Sequence, residues 1–198
     1  MWKMKKSVYL GEPAPDFILK TLNGEVFKLS EFRQNKNVIL VFNRGFTWPY
    51  CRKHMSQLRQ GYATFLERNS DVIVIGPETT EKFINYWAEH DLPYIGLPDP
   101  KHEVLKLYGQ EIKMLKFGRM PAQVMIDRNG IARYIHYGSS MSDIPKNEEL
   151  FRLLDEFNRE MKNYNWSPCI HLPRCVQLYI RWSWSILANG SNNILHRR

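Results

Sequence analysis

The sequence predicts an α/β fold in which a mixed central sheet carries helices on both faces, with a β-hairpin at the N-terminal side. Three observations support this. Val38 to Phe42 and Val72 to Gly76 are continuous apolar runs, the pattern of strands buried on both faces. Each run is followed by a segment whose apolar residues recur at helical spacing. Late in the chain, Asp127-Arg128-Asn129-Gly130 separates two strand-like segments as a turn, with glycine where a positive φ is needed.

The elements follow in order. Glu12-Pro13-Ala14-Pro15 is an extended lead-in, and Asp16 to Leu19 and Glu25 to Leu29 flank Asn23-Gly24, a strong hairpin signal. After the first apolar strand, Met55, Leu58, Tyr62, Phe65 and Leu66 fall on one helical face, with Arg52, Lys53, Gln57 and Arg59 mostly on the other. Pro77 stops the second apolar strand. Thr79-Thr80-Glu81 then caps a helix carrying Phe83, Ile84, Trp87 and Ala88, which ends before Pro93. Tyr94 to Leu97 reads as a short strand and Lys101 to Tyr108 as a short helix. Gln123 to Ile126 and Ile131 to His136 bracket the late turn, and Leu150, Leu153, Leu154, Phe157 and Met161 form a last helical stripe. Strands alternating with helices imply parallel crossovers, and the late hairpin adds antiparallel edge pairing. The thioredoxin-like fold satisfies this order.

Composition narrows the class. The chain has 198 residues, 43% apolar and 24% charged. That excludes disorder, collagen-like repeats and disulfide scaffolds, and a chain of this size can bury roughly 70% of its unfolded surface. The formal charge of +8 lies at the ends. Lys3, Lys5 and Lys6 open the chain without an acid, and beyond Glu160 there are five bases and no carboxylate side chain. Residues 7–160 carry 20 bases against 20 acids. The expected organisation is a basic arm over residues 1–10, a domain over 11–160 and a basic, Trp-containing tail over 161–198.

No stretch approaches the ~18 apolar residues of a membrane span, and the start lacks the apolar core of a signal peptide. Three cysteines, Cys51, Cys169 and Cys175, point to a reducing cytoplasm rather than a secreted framework. In the tail, Val176 to Leu187 is apolar around Arg181, which suits an interfacial segment, a packed helix or a dimerising arm equally, so membrane contact there is a weak reading. Five bases over the tail are too sparse for a phosphate-tracking stripe, so nucleic-acid binding is a weak reading and no clear nucleic-acid partner is expected. Cys169, His171 and Cys175 match no zinc module and lack a fourth ligand, so no metal is expected.

The reactive segment is Asn43-Arg44-Gly45-Phe46-Thr47-Trp48-Pro49-Tyr50-Cys51, between the first apolar strand and its helix. Open α/β sheets build their sites at this end of a strand. Cys51 falls in the first helical turn, where free N–H groups, the helix dipole and the charges of Arg44, Arg52 and Lys53 would lower its pKa below the usual ~8.5. The competing reading is a small apolar helix residue. His54, one turn later, could face the same pocket, but the preferred reading is a solvated helix histidine, and no base role is assigned to it. Phe46, Trp48, Tyr50 and Trp87 line either an apolar pocket or the core, and the helical stripe puts Trp87 in the core.

Residues 10–160 resemble the peroxiredoxins of the alkyl hydroperoxide reductase/thiol-specific antioxidant family. The resemblance rests on Gly11-Glu12-Pro13-Ala14-Pro15-Asp16-Phe17, on Asn43-Arg44-Gly45 leading into Pro49-Tyr50-Cys51, and on Met120-Pro121-Ala122 before Val124-Met125-Ile126-Asp127. It implies a thiol-dependent peroxidase in which Cys51 attacks a hydroperoxide and becomes sulfenic acid. It also implies a thioredoxin-like or small-thiol reductant, no cofactor, and a homodimer as an open option. Thr47 and Arg119 are the candidate donors to the reacting oxygens. Thr47 stands four residues before the cysteine, where the family has three. Arg119 is two residues earlier than the family's arginine, whose place Pro121 takes. Pro121 in turn resembles the proline, often cis, that packs on the active cysteine of thioredoxins. Trp48-Pro49-Tyr50-Cys51 looks like a redox turn that has lost its first cysteine. That disfavours a thiol-disulfide oxidoreductase and leaves a one-cysteine peroxidase or a catalytically silent binding module. Any resolving thiol within the chain would be Cys169 or Cys175.

Overall fold

The computed structural model describes residues 8–110, 112–113 and 118–165, with side chains through residue 160 and excluding those of 112–113. The arm before residue 8 and the tail beyond 165, with Cys169 and Cys175, lie outside the described residues. Residues 1–158 form one compact unit and 159–198 a second.

A five-stranded sheet organises the first unit. Its strands are β3 (Asn37–Phe42), β4 (Ser70–Gly76), β5 (Ile95–Pro98), β8 (Ala122–Ile126) and β9 (Ala132–Tyr137), in the order β5-β4-β3-β8-β9. The β3–β4 and β4–β5 pairs are parallel, and β3–β8 and β8–β9 antiparallel. An N-terminal hairpin pairs β1 (Ile18–Lys20) with β2 (Val26–Lys28), with Leu19 opposite Phe27. The predicted thioredoxin-like architecture is present. A small antiparallel pair, β6 (Ile112–Lys113) with β7 (Gly118–Arg119), was not legible, because two-residue strands have no periodicity.

β3 and β4 are buried along their whole length, as their apolar runs require. Side chains alternate across a strand, so each run feeds two cores. Leu40, Phe42, Ile73 and Ile75 face one core, closed by Phe17, Phe27 and Leu29 of the N-terminal segment and by Leu105 and Tyr108 of α4 (Glu103–Leu107) and its C-cap. Ile39, Val41, Val72 and Val74 face the other. That face is covered by α1 (Pro49–Gln60), α2 (Tyr62–Glu67), α3 (Thr80–His90) and α5 (Asn147–Asn165), through Met55, Leu58, Phe65, Phe83, Trp87, Leu150 and Leu154. The Thr79 cap forms, its side chain accepting from the Lys82 N–H, and Trp87 is a core residue that donates its indole N–H to the Tyr94 carbonyl at 2.8 Å.

The long helix expected from Cys51 to Leu66 is two helices. They part at Gly61, where α5 packs closely: a Cβ on Gly61 would lie 2.5 Å from Asn147 Nδ2 and 3.1 Å from Phe151. Asn147 Nδ2 donates to the Gln57 carbonyl at 2.7 Å beside the break. The helical register restarts, which turns Leu66 outward to 43% exposure. This close approach of α5 is invisible to a periodicity argument.

Candidate active site

The segment between β3 and α1 is held from three sides. Asn43 Oδ1 accepts from the Gly45 N–H at 2.9 Å, a local turn that needs no tertiary partner. Phe46 stacks on Tyr86 with centroids 4.2 Å apart and meets Phe83 edge-on at 4.7 Å, so the middle of the loop is anchored in the helical core. Gln110 is fully buried, and its Nε2 donates to the carbonyls of Phe42 (3.1 Å), Asn43 (3.2 Å) and Met120 (2.9 Å). One amide thereby ties the end of β3 to the loop carrying Pro121. Sequence reading missed Gln110, since a lone Gln after a short helix gives no signal of its own.

α1 begins with Trp48 as N-cap in extended conformation and Pro49 at the first helical position. Pro is suited there because its missing N–H is not needed. The Trp48 side chain makes no capping hydrogen bond, so side-chain capping does not occupy the N–H groups of the first turn. Cys51 is the third helical residue and is only 4% exposed. It is a free thiol.

The electrostatics of Cys51 differ from the sequence expectation. Burial is the largest influence and pushes its pKa up; the Arg44 backbone N–H hydrogen bond and the Arg44 charge both act in the opposite direction. A site at a helix start was expected to depress the thiol. The depth of the site, which the sequence does not show, reverses the net direction. Arg44 is itself 6% exposed, its pKa lowered by desolvation and raised by the Cys51 charge. Its guanidinium lies over the Trp48 ring, 4.1 Å from the centroid.

The other candidates divide. Pro121 shares a small cavity with Cys51, lined also by Asn43, His54, Gln123, His136 and Pro145. The resemblance pointed to a proline that is often cis, but the described residues contain no cis peptide bond. Thr47, Pro49 and Tyr50 are exposed, Tyr50 at 50%, and the structure does not fold Thr47 inward with Cys51. Nor does Thr47 cap α1, a position Trp48 holds. Arg119 lies in β7, half-buried; burial lowers its pKa and the Asp99 charge opposes that, whereas the charge acting on Cys51 is that of Arg44.

His54 is a correction. It is not solvated but 6% exposed, and burial lowers its pKa to about 4. Its Nε2 lies 2.9 Å from Gln123 Nε2. A neutral imidazole must accept there from the amide N–H, which leaves the proton on Nδ1. His136, opposite Gln123 across β8 and β9, pairs with Asp143 at 3.1 Å and lines the same cavity. Among the described residues no group of three or more His, Cys, Asp or Glu could hold a metal ion, and the Cys169–His171–Cys175 candidate lies outside them.

A buried cysteine in the first turn of the helix that follows the central parallel strand, on this sheet, defines a thioredoxin-like thiol protein. The chain belongs to the AhpC/TSA family, which matches residues 10–135. It is 28% identical over 102 residues to peroxiredoxin Bcp of Bacillus subtilis, covering 52% of this chain and 64% of that protein. It is 30% identical over 128 residues to the chloroplastic peroxiredoxin Q of Arabidopsis thaliana, covering 64% of this chain and 58% of that one. The matches therefore span less than two thirds of these relatives' lengths. In structure it is similar to the reduced 2-Cys peroxiredoxin of Plasmodium vivax, with a TM-score of 0.69, 19% identity, and coverage of 78% of this chain and 99% of that one. The peroxidoxin BcpB of Mycobacterium tuberculosis gives a TM-score of 0.66 at 19% identity, over 75% and 97% of the two chains. These structural likenesses define the fold.

Proposed function

We propose that the chain is a thiol-dependent peroxidase that reduces hydroperoxides through Cys51. The observation that carries this is the placement of a free cysteine in the uncapped first turn of α1, paired with the Arg44 charge and backbone N–H, in a chain of the AhpC/TSA family. The Cys51 thiolate attacks one oxygen of the peroxide. An S–O bond forms as the O–O bond breaks, the sulfur loses two electrons and becomes sulfenic acid, and the other oxygen leaves as alkoxide or hydroxide and takes a proton. Arg44 stabilises the attacking sulfur, and donors near the leaving oxygen lower the barrier further. Thr47 and Arg119 are the two donors the family resemblance nominates.

Reduction then needs two thiols. One condenses with the sulfenic acid to a disulfide and releases water, and a second displaces Cys51 by exchange. A thioredoxin-like protein or a small thiol supplies them, with Cys169 and Cys175 as the in-chain alternatives for the first. Dithiol exchange within the turn is closed to this chain, since position 48 is tryptophan. The few cysteines favour a cytoplasmic setting, and no described helix is long and apolar enough to cross a membrane. A homodimer is compatible with this chemistry.

The test is intact-mass analysis after one equivalent of hydroperoxide in the presence of a sulfenic-acid trap. The parent chain gains one trapped adduct at Cys51 and Cys51→Ser gains none. A Cys51→Ser chain that consumes peroxide as fast as the parent ends the proposal, and a parent thiol inert to peroxide favours a silent binding module on the same fold.

A further inference from the structure

Trp48 has no task in the peroxidase reading. It stands where a redox turn keeps its first cysteine, and it cannot take part in electron transfer through sulfur. The geometry around it is nonetheless specific. Gly45 adopts φ +133°, a conformation side chains rarely tolerate, and the chain after it folds back closely enough that a Cβ on Gly45 would lie 3.8 Å from Trp48 Cδ1. Pro49 then fixes the start of α1. The result places the indole face over the Arg44 guanidinium at 4.1 Å, with Arg44 itself removed from water.

Building on the peroxidase reading, we infer that Trp48 is a positioning residue whose ring face clamps the Arg44 guanidinium beside Cys51. Arginine has a long, flexible side chain that gains hydration by swinging outward. The quadrupole of the indole face attracts the planar cation and replaces part of the lost hydration. With Arg44 only 6% exposed, the cation sits in a less polar medium than water, where a charge acts more strongly on its neighbours. The burial that raises Cys51 is thus opposed by a cation that burial alone would expel. A cysteine or threonine at position 48 offers no such face. The first redox position has been converted into a support for the second.

Alkylation reads this directly and needs no peroxide, so it separates this inference from the peroxidase reading. The full chain is treated with iodoacetamide between pH 6 and 10, and the Cys51 peptide is quantified by mass spectrometry. Trp48→Leu keeps bulk without a ring face and is expected to slow alkylation at pH 7.5 by about three- to tenfold, through a smaller thiolate fraction, with the deficit narrowing toward pH 10. Trp48→Phe stays within about twofold of the parent. In an Arg44→Met background, Trp48→Leu should add less than about twofold, because the cation through which Trp48 acts is gone. An equal effect in both backgrounds overturns the inference, as does an unchanged profile in Trp48→Leu. Arg44→Lys tests the same contact with Trp48 intact: it keeps the charge, gives up the planar stack and should move the profile toward that of Arg44→Met. A lysine chain indistinguishable from the parent also overturns it.

Discussion

Replacing His54 with glutamine tests the interior of the site through pH. The imidazole has a pKa lowered from 6.5 to about 4 by burial, so the folded chain resists a proton that the unfolded chain accepts. Between those values the unfolded state binds more protons, and stability must rise with pH. The contribution is complete above about pH 6.5 and is lost as the pH falls toward 4. At pH 5 the two pKa values give a deficit of about 2 kcal/mol relative to pH 8. With a urea m-value of roughly 2 kcal/mol per molar for a domain of this size, the midpoint falls by about 1 M. Urea unfolding of the parent and His54→Gln at pH 8 and pH 5 measures it. The parent should lose about 2 kcal/mol more than the variant between the two pH values. His102, also lowered by burial, is present in both chains and cancels. Equal losses in the two proteins would refute the burial argument and place His54 in contact with water.

Other expectations concern the thiol and its loop. Because burial raises the Cys51 pKa, the rate of peroxide consumption should climb from pH 7 to pH 9 as the thiolate fraction grows. A plateau reached below pH 8 in a stopped-flow profile contradicts it. Arg44→Met should slow that reaction more than Arg119→Met, since the charge acting on Cys51 is that of Arg44, while the charge felt by Arg119 is that of Asp99. The reverse ranking would restore Arg119 as the principal donor. Gln110→Leu removes the donor shared by three buried carbonyls and should cost about 1–3 kcal/mol by urea unfolding, with faster amide exchange over residues 43–48. Unchanged exchange there means Gln110 does not hold the loop. Gly45→Ala forces a side chain into a positive φ against Glu78 Oε1, 2.9 Å from the new Cβ, and should destabilise by about 1–3 kcal/mol in the same assay.

The cavity that joins Cys51 to His54, Gln123 and His136 is assembled from α1, β8 and β9. Its members are distant in sequence and each is unremarkable alone. His54 reads as surface because Arg52 and Lys53 beside it are exposed, yet it follows Cys51 by one helical turn and shares its inward face. That spacing was the available signal. The strand partner that makes the position interior is Gln123, whose pairing through β3 depends on the antiparallel return of β8.

Much was decided locally by the chain. The apolar runs of β3 and β4, the Thr79 cap, the Asp127 turn and the helical start at Pro49 depend on residues adjacent in sequence, so their physics is legible there. So was the candidate nucleophile, since a cysteine just after the start of a helix that follows a buried strand needs no tertiary information to locate. The tertiary structure decided what surrounds it. Whether a thiol at a helix start is raised or lowered depends on how much protein lies over it, and the lack of room for a side chain at position 61 depends on where α5 lands. Which arginine's charge acts on the thiol depends on how the loop after β3 folds. Burial and charge proximity are sums over neighbours brought in by the fold, and no local pattern in the sequence contains them.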